Sequence, residues 1–117
     1  MSFVRHDGDI PVSRRKLFDG AGEAEMHIIL NGADEMHGKG RLFNHVYLDP
    51  GAEIGWHIHH GDGETYHILR GHGLYSDNGR LVEVSAGDTT YVGDGEGHSL
   101  VNTGDEALEA IALILYT

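Results

Sequence analysis

The stretch Gly51–Gly71 reads GAEIGWHIHHGDGETYHILRG and places His57, His59 and Glu64 within eight positions. His57 and His59 lie two apart in a run with strand character, so both side chains leave the same face of a sheet. His60 with Gly61-Asp62-Gly63 reads as a hairpin tip, since glycine and aspartate supply the backbone conformations of tight turns. A hairpin there brings Glu64, on the returning strand, back beside the two histidines. Two imidazoles and one carboxylate on a common face are metal-ligand chemistry. His98, which opens the run His98–Asn102 after a glycine-rich bend, is a fourth candidate.

Away from this stretch the chain breaks into short apolar or alternating runs. They are Met26–Leu30, Leu42–Leu48, Glu53–His59, Tyr66–Leu69, Gly73–Ser76, Leu81–Val84, Thr89–Val92, Ser99–Asn102 and Leu108–Tyr116. Turn signals separate them, among them Asn31-Gly32, Pro50-Gly51, Asp94-Gly95 and Thr103-Gly104-Asp105. Asp77-Asn78-Gly79 between two such runs predicts a hairpin. Ala110–Tyr116, the longest apolar run, reads as a buried strand and is far short of the ~20 residues that span a bilayer. Short strands at this spacing predict an all-β sandwich or barrel. Residues 21–117 are read as that one barrel domain, and residues 1–20 as an N-terminal arm, edge strand or disordered leader.

Composition narrows the function classes. The 117 residues carry 19 Asp+Glu against 8 Lys+Arg, a net charge of −11 that argues against nucleic acid, whose phosphates demand a basic face. With no Cys there is no disulfide framework, thiolate zinc site or Cys nucleophile. Met1–Pro11 is polar and lacks the apolar core of a secretion signal, so a cytoplasmic protein with no membrane partner is expected. Arg14-Arg15-Lys16 beside Asp19 and Glu23 reads as a solvated face.

The spacing as a whole says more than any one histidine. Gly51, five residues, His57-x-His59, four residues, Glu64, six residues and Gly71 form one pattern. Gly87, five residues, Gly93-x-Gly95, two residues, His98, three residues and Asn102 form a second. The two patterns resemble the two motifs of the cupin superfamily, the second departing only at Gly93, where the family usually has proline. The resemblance implies a small jelly-roll barrel, or double-stranded β-helix, holding a metal in its mouth through His57, His59, Glu64 and His98. Mn, Fe, Ni, Co and Zn all suit such ligands, and the identity stays open. Four protein ligands leave one or two positions for a small molecule. Three neutral imidazoles and one carboxylate leave a divalent site at +1, which favours an anionic partner.

Around this set, Tyr66 and Ile68 share the parity of Glu64 and face inward, Tyr66 as core, pocket wall or acid. His67 has the opposite parity and faces out. His60 has a rim role or none. His45 and Tyr47 are further pocket candidates, although parity alone leaves open which way they face. Trp56 alternates away from His57 and packs on a neighbour, and Asn102 bonds to backbone. The function expected is a metal-dependent enzyme acting on a small polar or anionic molecule, as oxygenase, decarboxylase, isomerase or lyase. The rival is a non-catalytic cupin that binds or senses a small ligand. Small cupins are often homodimers, and the resemblance implies the same here.

Overall fold

The structure is a computed structural model that describes residues 2–117, so Met1 of the N-terminal segment lies outside it. Its described residues form an all-β jelly roll of ten strands with one short α-helix and a 3-10 turn at Asp7–Asp9. The strands are β1 (Val12–Arg15), β2 (Ala24–Leu30), β3 (Gly40–Leu48), β4 (Glu53–Ile58), β5 (Asp62–Arg70), β6 (His72–Asp77), β7 (Arg80–Ser85), β8 (Thr89–Val92), β9 (Gly97–Asn102) and β10 (Leu108–Tyr116). Helix α1 (Gly32–Glu35) links β2 to β3. Strands β1-β2-β3-β10-β5-β8 form one antiparallel sheet, and β4-β9-β6-β7 form the facing one. No helix among the described residues is long and apolar enough to cross a membrane.

Alternation explains the interior. β10 lies between β3 and β5 and turns Leu108, Ala110, Ala112 and Ile114 inward, so the long apolar run is a central strand. Leu48, Ile68, Leu100 and Leu108 are fully buried between the sheets. Towards the far end of β10 the inward residues become Ala112 and Ile114, and there the barrel opens into a cavity. Small residues where two sheets face each other leave space. The hairpin at Asp77-Asn78-Gly79 forms as expected, with φ of 53° at Asn78 and 96° at Gly79 joining β6 to β7.

One expected pairing does not occur. β4 and β5 are not a hairpin: β4 pairs with β9, whereas β5 pairs with β10 and β8 in the opposite sheet. The Gly61 turn carries the chain across the barrel from one sheet to the other. Glycine-rich turn chemistry serves either connection, and only the pairing of the flanking strands tells them apart. The N-terminal segment is also more engaged than a free arm. Residues 12–15 are an edge strand on β2, and Leu17 bridges Ile54 in parallel.

Asn102 secures the barrel behind the site. Buried to 2% exposure, it donates through Nδ2 to the carbonyls of Leu48 and Glu106 and accepts the Gly104 N–H. Asn102→Ala leaves the buried Leu48 carbonyl unpaired and removes the ties to Gly104 and Glu106, and the expected loss is about 2 kcal/mol in urea unfolding. A loss below about 0.5 kcal/mol would contradict this role.

Candidate metal centre

The four side chains expected as ligands converge from the two sheets across the barrel interior. His57 lies one residue before the end of β4, His59 just follows the strand, His98 stands on β9 directly opposite His57, and Glu64 reaches across from β5. Their exposures are 8%, 2%, 0% and 6% in the order His57, His59, His98, Glu64. Glu64 Oε1 lies 3.3 Å from His57 Nε2, 3.2 Å from His59 Nε2 and 3.0 Å from His98 Nε2. His98 Nε2 is 3.0 Å from His57 Nε2 and 3.3 Å from His59 Nε2. The shared face foreseen for the two histidines and Glu64 is therefore two facing sheets, with the same residues meeting.

Backbone irregularity aims His57. Ile54 pairs with Leu100 and His57 with His98, so β4 carries one extra residue over that interval. This bulge at Gly55-Trp56 resets the alternation and turns both Ile54 and His57 inward. Gly55 permits it, because a Cβ there would come within 2.2 Å of the Phe18 carbonyl oxygen. The close approach brings Phe18, itself at φ 51°, flat against the His57 ring at 4.0 Å. Trp56 points outward, half exposed, and lies over Gly97, where a Cβ would meet its ring at 2.5 Å.

The outer edges of the imidazoles settle which nitrogen faces in. His57 Nδ1–H donates to the Gly55 carbonyl at 2.8 Å, and His59 Nδ1–H donates to Asp62 Oδ1 at 2.7 Å. A carbonyl and a carboxylate can only accept, so Nδ1 holds the proton and each neutral ring presents an Nε2 lone pair to the centre. The Tyr75 hydroxyl lies 2.8 Å from His98 Nδ1 and can accept from it in the same way. Unprotonated nitrogens around a carboxylate repel one another. Burial alone would raise the Glu64 pKa, but a proton on any of the facing imidazole nitrogens would hydrogen-bond to its carboxylate and hold it well below the ordinary range. Glu64 and Asp62 raise the His59 pKa against the effect of burial, whereas burial lowers that of His98. The centre thus takes up either a proton or a cation.

The spacing suits a cation. An ion about 2.1 Å from each donor places neighbouring donors at right angles about 3 Å apart. Five of the six separations are 3.0–3.3 Å, and all four donor atoms lie within 4.8 Å of one another. These residues could hold a divalent ion and leave an open side towards a cavity of about 300 Å³.

Other expected residues are placed as follows. Tyr66 is fully buried, lines the cavity and stacks on His98 at 4.8 Å; burial and Glu64 push its pKa well above the ordinary value, which fits a wall rather than an acid. His60 is exposed at the cavity rim. His67 faces out and bonds to Thr89. His45 and Tyr47 are a correction: Val46 lines the cavity, so its neighbours face the other way. Outside, His45 stacks on Tyr47 and bonds to Glu109. At Gly93 the departure from proline brings a bond that proline cannot make, the Gly93 N–H donating to Glu96 Oε1 at 2.8 Å. Sequence reasoning missed Leu17, Phe18, Arg41, Asp62 and Tyr75. Only Asp62, next to the motif histidines, carried a local signal.

Residues 44–114 match the model of the Cupin domain family. An oxalate-binding protein of Thermotoga maritima is 45% identical over 112 residues, covering 96% of this chain and 92% of its own length. A Thermotoga maritima crystal structure described as "a predicted oxalate decarboxylase" superposes with a TM-score of 0.92 at 40% identity, covering 98% of this chain and all of that one. A polyketide cyclase from Streptomyces resistomycificus shares the fold at 18% identity and a TM-score of 0.73, covering 99% of this chain and 80% of that one.

Elemental analysis of the purified protein should find one divalent ion per chain, lost in His57→Ala and His98→Ala. Asp62→Asn should weaken metal affinity about 10- to 100-fold by freeing the His59 ring. Protons compete for the same lone pairs, so affinity should fall as pH drops through the histidine range and recover above it. Full occupancy in both histidine variants would contradict the assignment.

Proposed function

This chain belongs to the cupin family, and from that premise we propose that it binds a divalent transition metal at His57, His59, Glu64 and His98 and there captures a small carboxylate dianion of the oxalate class. The carrying observation is the open cavity of about 300 Å³ beside four converged donors, with room for a small molecule. When bound, the ion would supply a positive centre and an open position for a carboxylate oxygen.

The protein's own residues do the rest. Leu17, Phe18, Ile54, Ile58 and Ile114 wall the cavity with apolar surface, which lowers the local dielectric and strengthens charge pairing beside it. Tyr66 and Phe18 brace the His98 and His57 rings in place. Asp62 fixes the His59 ring at its outer nitrogen. The likeness to the oxalate-binding protein supports the choice of ligand.

Capture is preferred over turnover on the character of the walls. Beyond the four donors the polar lining groups are Arg41, His60, Asp62 and Tyr66; Asp62 is already bonded to Arg41 and His59, and Tyr66 keeps its proton. His60 at the rim is the one imidazole there outside the donor set. The enzyme reading, cleavage of oxalate to formate and carbon dioxide, draws on the Thermotoga maritima structure.

Loaded in turn with Mn, Fe, Ni, Co or Zn, the protein should bind oxalate in calorimetry and be stabilised by it. At a hundred times Kd the gain should be about 2.7 kcal/mol, and chelation should abolish it. Formate or carbon dioxide release would establish the enzyme reading instead. No oxalate binding with any metal contradicts both.

A homodimer in the cytoplasm belongs to the same proposal. Phe3, Val4, Val12, Leu115 and Tyr116 are exposed apolar side chains of the N-terminal segment and the end of β10, and β1 is an uncovered sheet edge. Light scattering should give twice the chain mass; a monomer at micromolar concentration contradicts it.

A further inference from the structure

Among the residues lining the cavity, Arg41 is the only lysine or arginine. Strand alternation alone would send it outward with Phe43, His45 and Tyr47. A second bulge prevents this: Ile114 pairs with Leu42 and Leu115 with Gly40, leaving Arg41 without a partner on β10. Bulges re-aim side chains in this way. Gly40 makes room for it, since a Cβ there would lie 2.4 Å from the Ile114 carbonyl oxygen and 2.6 Å from Met36 Cε.

The re-aimed guanidinium is anchored along one edge. Arg41 Nε–H donates to Asp62 Oδ2 at 2.8 Å, while Asp62 Oδ1 receives the His59 Nδ1–H at 2.7 Å. Asp62 is 7% exposed and Arg41 46%. Both Nη groups of Arg41 have no protein hydrogen-bond partner among the described residues, and Arg41 lines a cavity whose other walls are largely apolar. A guanidinium held by its Nε edge keeps donors free to grip a planar carboxylate.

We propose that Arg41 is the specificity determinant of this cavity, gripping one carboxylate of a small dicarboxylate while the other reaches the four-donor centre. The proposal rests on the oxalate reading and adds to it a preference for two carboxylates over one. Asp62 ties the two ends of the site together, because the same side chain orients His59 and Arg41.

The test compares Arg41→Ala, Arg41→Gln and Arg41→Lys with wild type, all metal-loaded, by calorimetry with oxalate and with acetate. Arg41 is half exposed, so these variants should fold, and circular dichroism with metal analysis checks this. Arg41→Ala and Arg41→Gln should weaken oxalate roughly 30-fold, with Arg41→Lys in between, acetate within about threefold and metal content unchanged. Oxalate affinity within about threefold of wild type in Arg41→Ala overturns the proposal. So does an equal loss for oxalate and acetate, or a loss of metal, since either means that Arg41 acts only through Asp62. A loaded wild-type protein that binds no oxalate overturns the oxalate reading and this proposal with it.

Discussion

Three imidazole lone pairs and a carboxylate oxygen aimed at one buried point repel one another unless something positive sits among them. Nearly everything distinctive in this barrel maintains that arrangement. The Gly55 carbonyl and the Asp62 carboxylate hold the protons of His57 and His59 on the outer nitrogens. Tyr75 touches the outer nitrogen of His98. Phe18 and Tyr66 stack on the His57 and His98 rings and leave them little freedom to swing away. A site built against its own electrostatics is held by packing and bonding elsewhere, here by a core of buried Leu, Ile and Tyr side chains and by the ties of Asn102.

Charge balance explains why a protein of net charge −11 can receive an anion. Three neutral histidines and Glu64 with a divalent ion carry +1, and Arg41 offsets Asp62. Surface acids more than about 8–10 Å away are screened in physiological salt, so the local balance governs what enters. Alanines at 110 and 112 on the inward face of β10 keep side-chain bulk off this part of the interior, and Ala112 lies on the cavity wall itself.

Much of this was legible in the residues. The histidine and glutamate spacing named the four donors, the turn signals placed most strand breaks, and parity assigned Tyr66, Ile68 and His67. What failed did so for identifiable physical reasons. The Gly61 turn suits a hairpin and a crossing between sheets equally, so the pairing of β4 with β9 was hidden. Alternation assumes a regular strand, and the bulges at Gly55-Trp56 and Arg41 break it at the two places where a side chain is aimed into the site. The glycines that permit those bulges, Gly40 and Gly55, are marked by close backbone contacts that exist only in the fold. Phe18 and Leu17 come from a segment with no motif, brought in by tertiary contact with β4.

The most direct test of the central arrangement is X-ray absorption at the edge of the ion bound to the loaded protein. Three imidazoles and at least one carboxylate oxygen in the inner shell, with the outer-ring scattering of three histidines, are the predicted result. A bound ion with fewer than three imidazoles, or none at all, would contradict a centre built from His57, His59, Glu64 and His98.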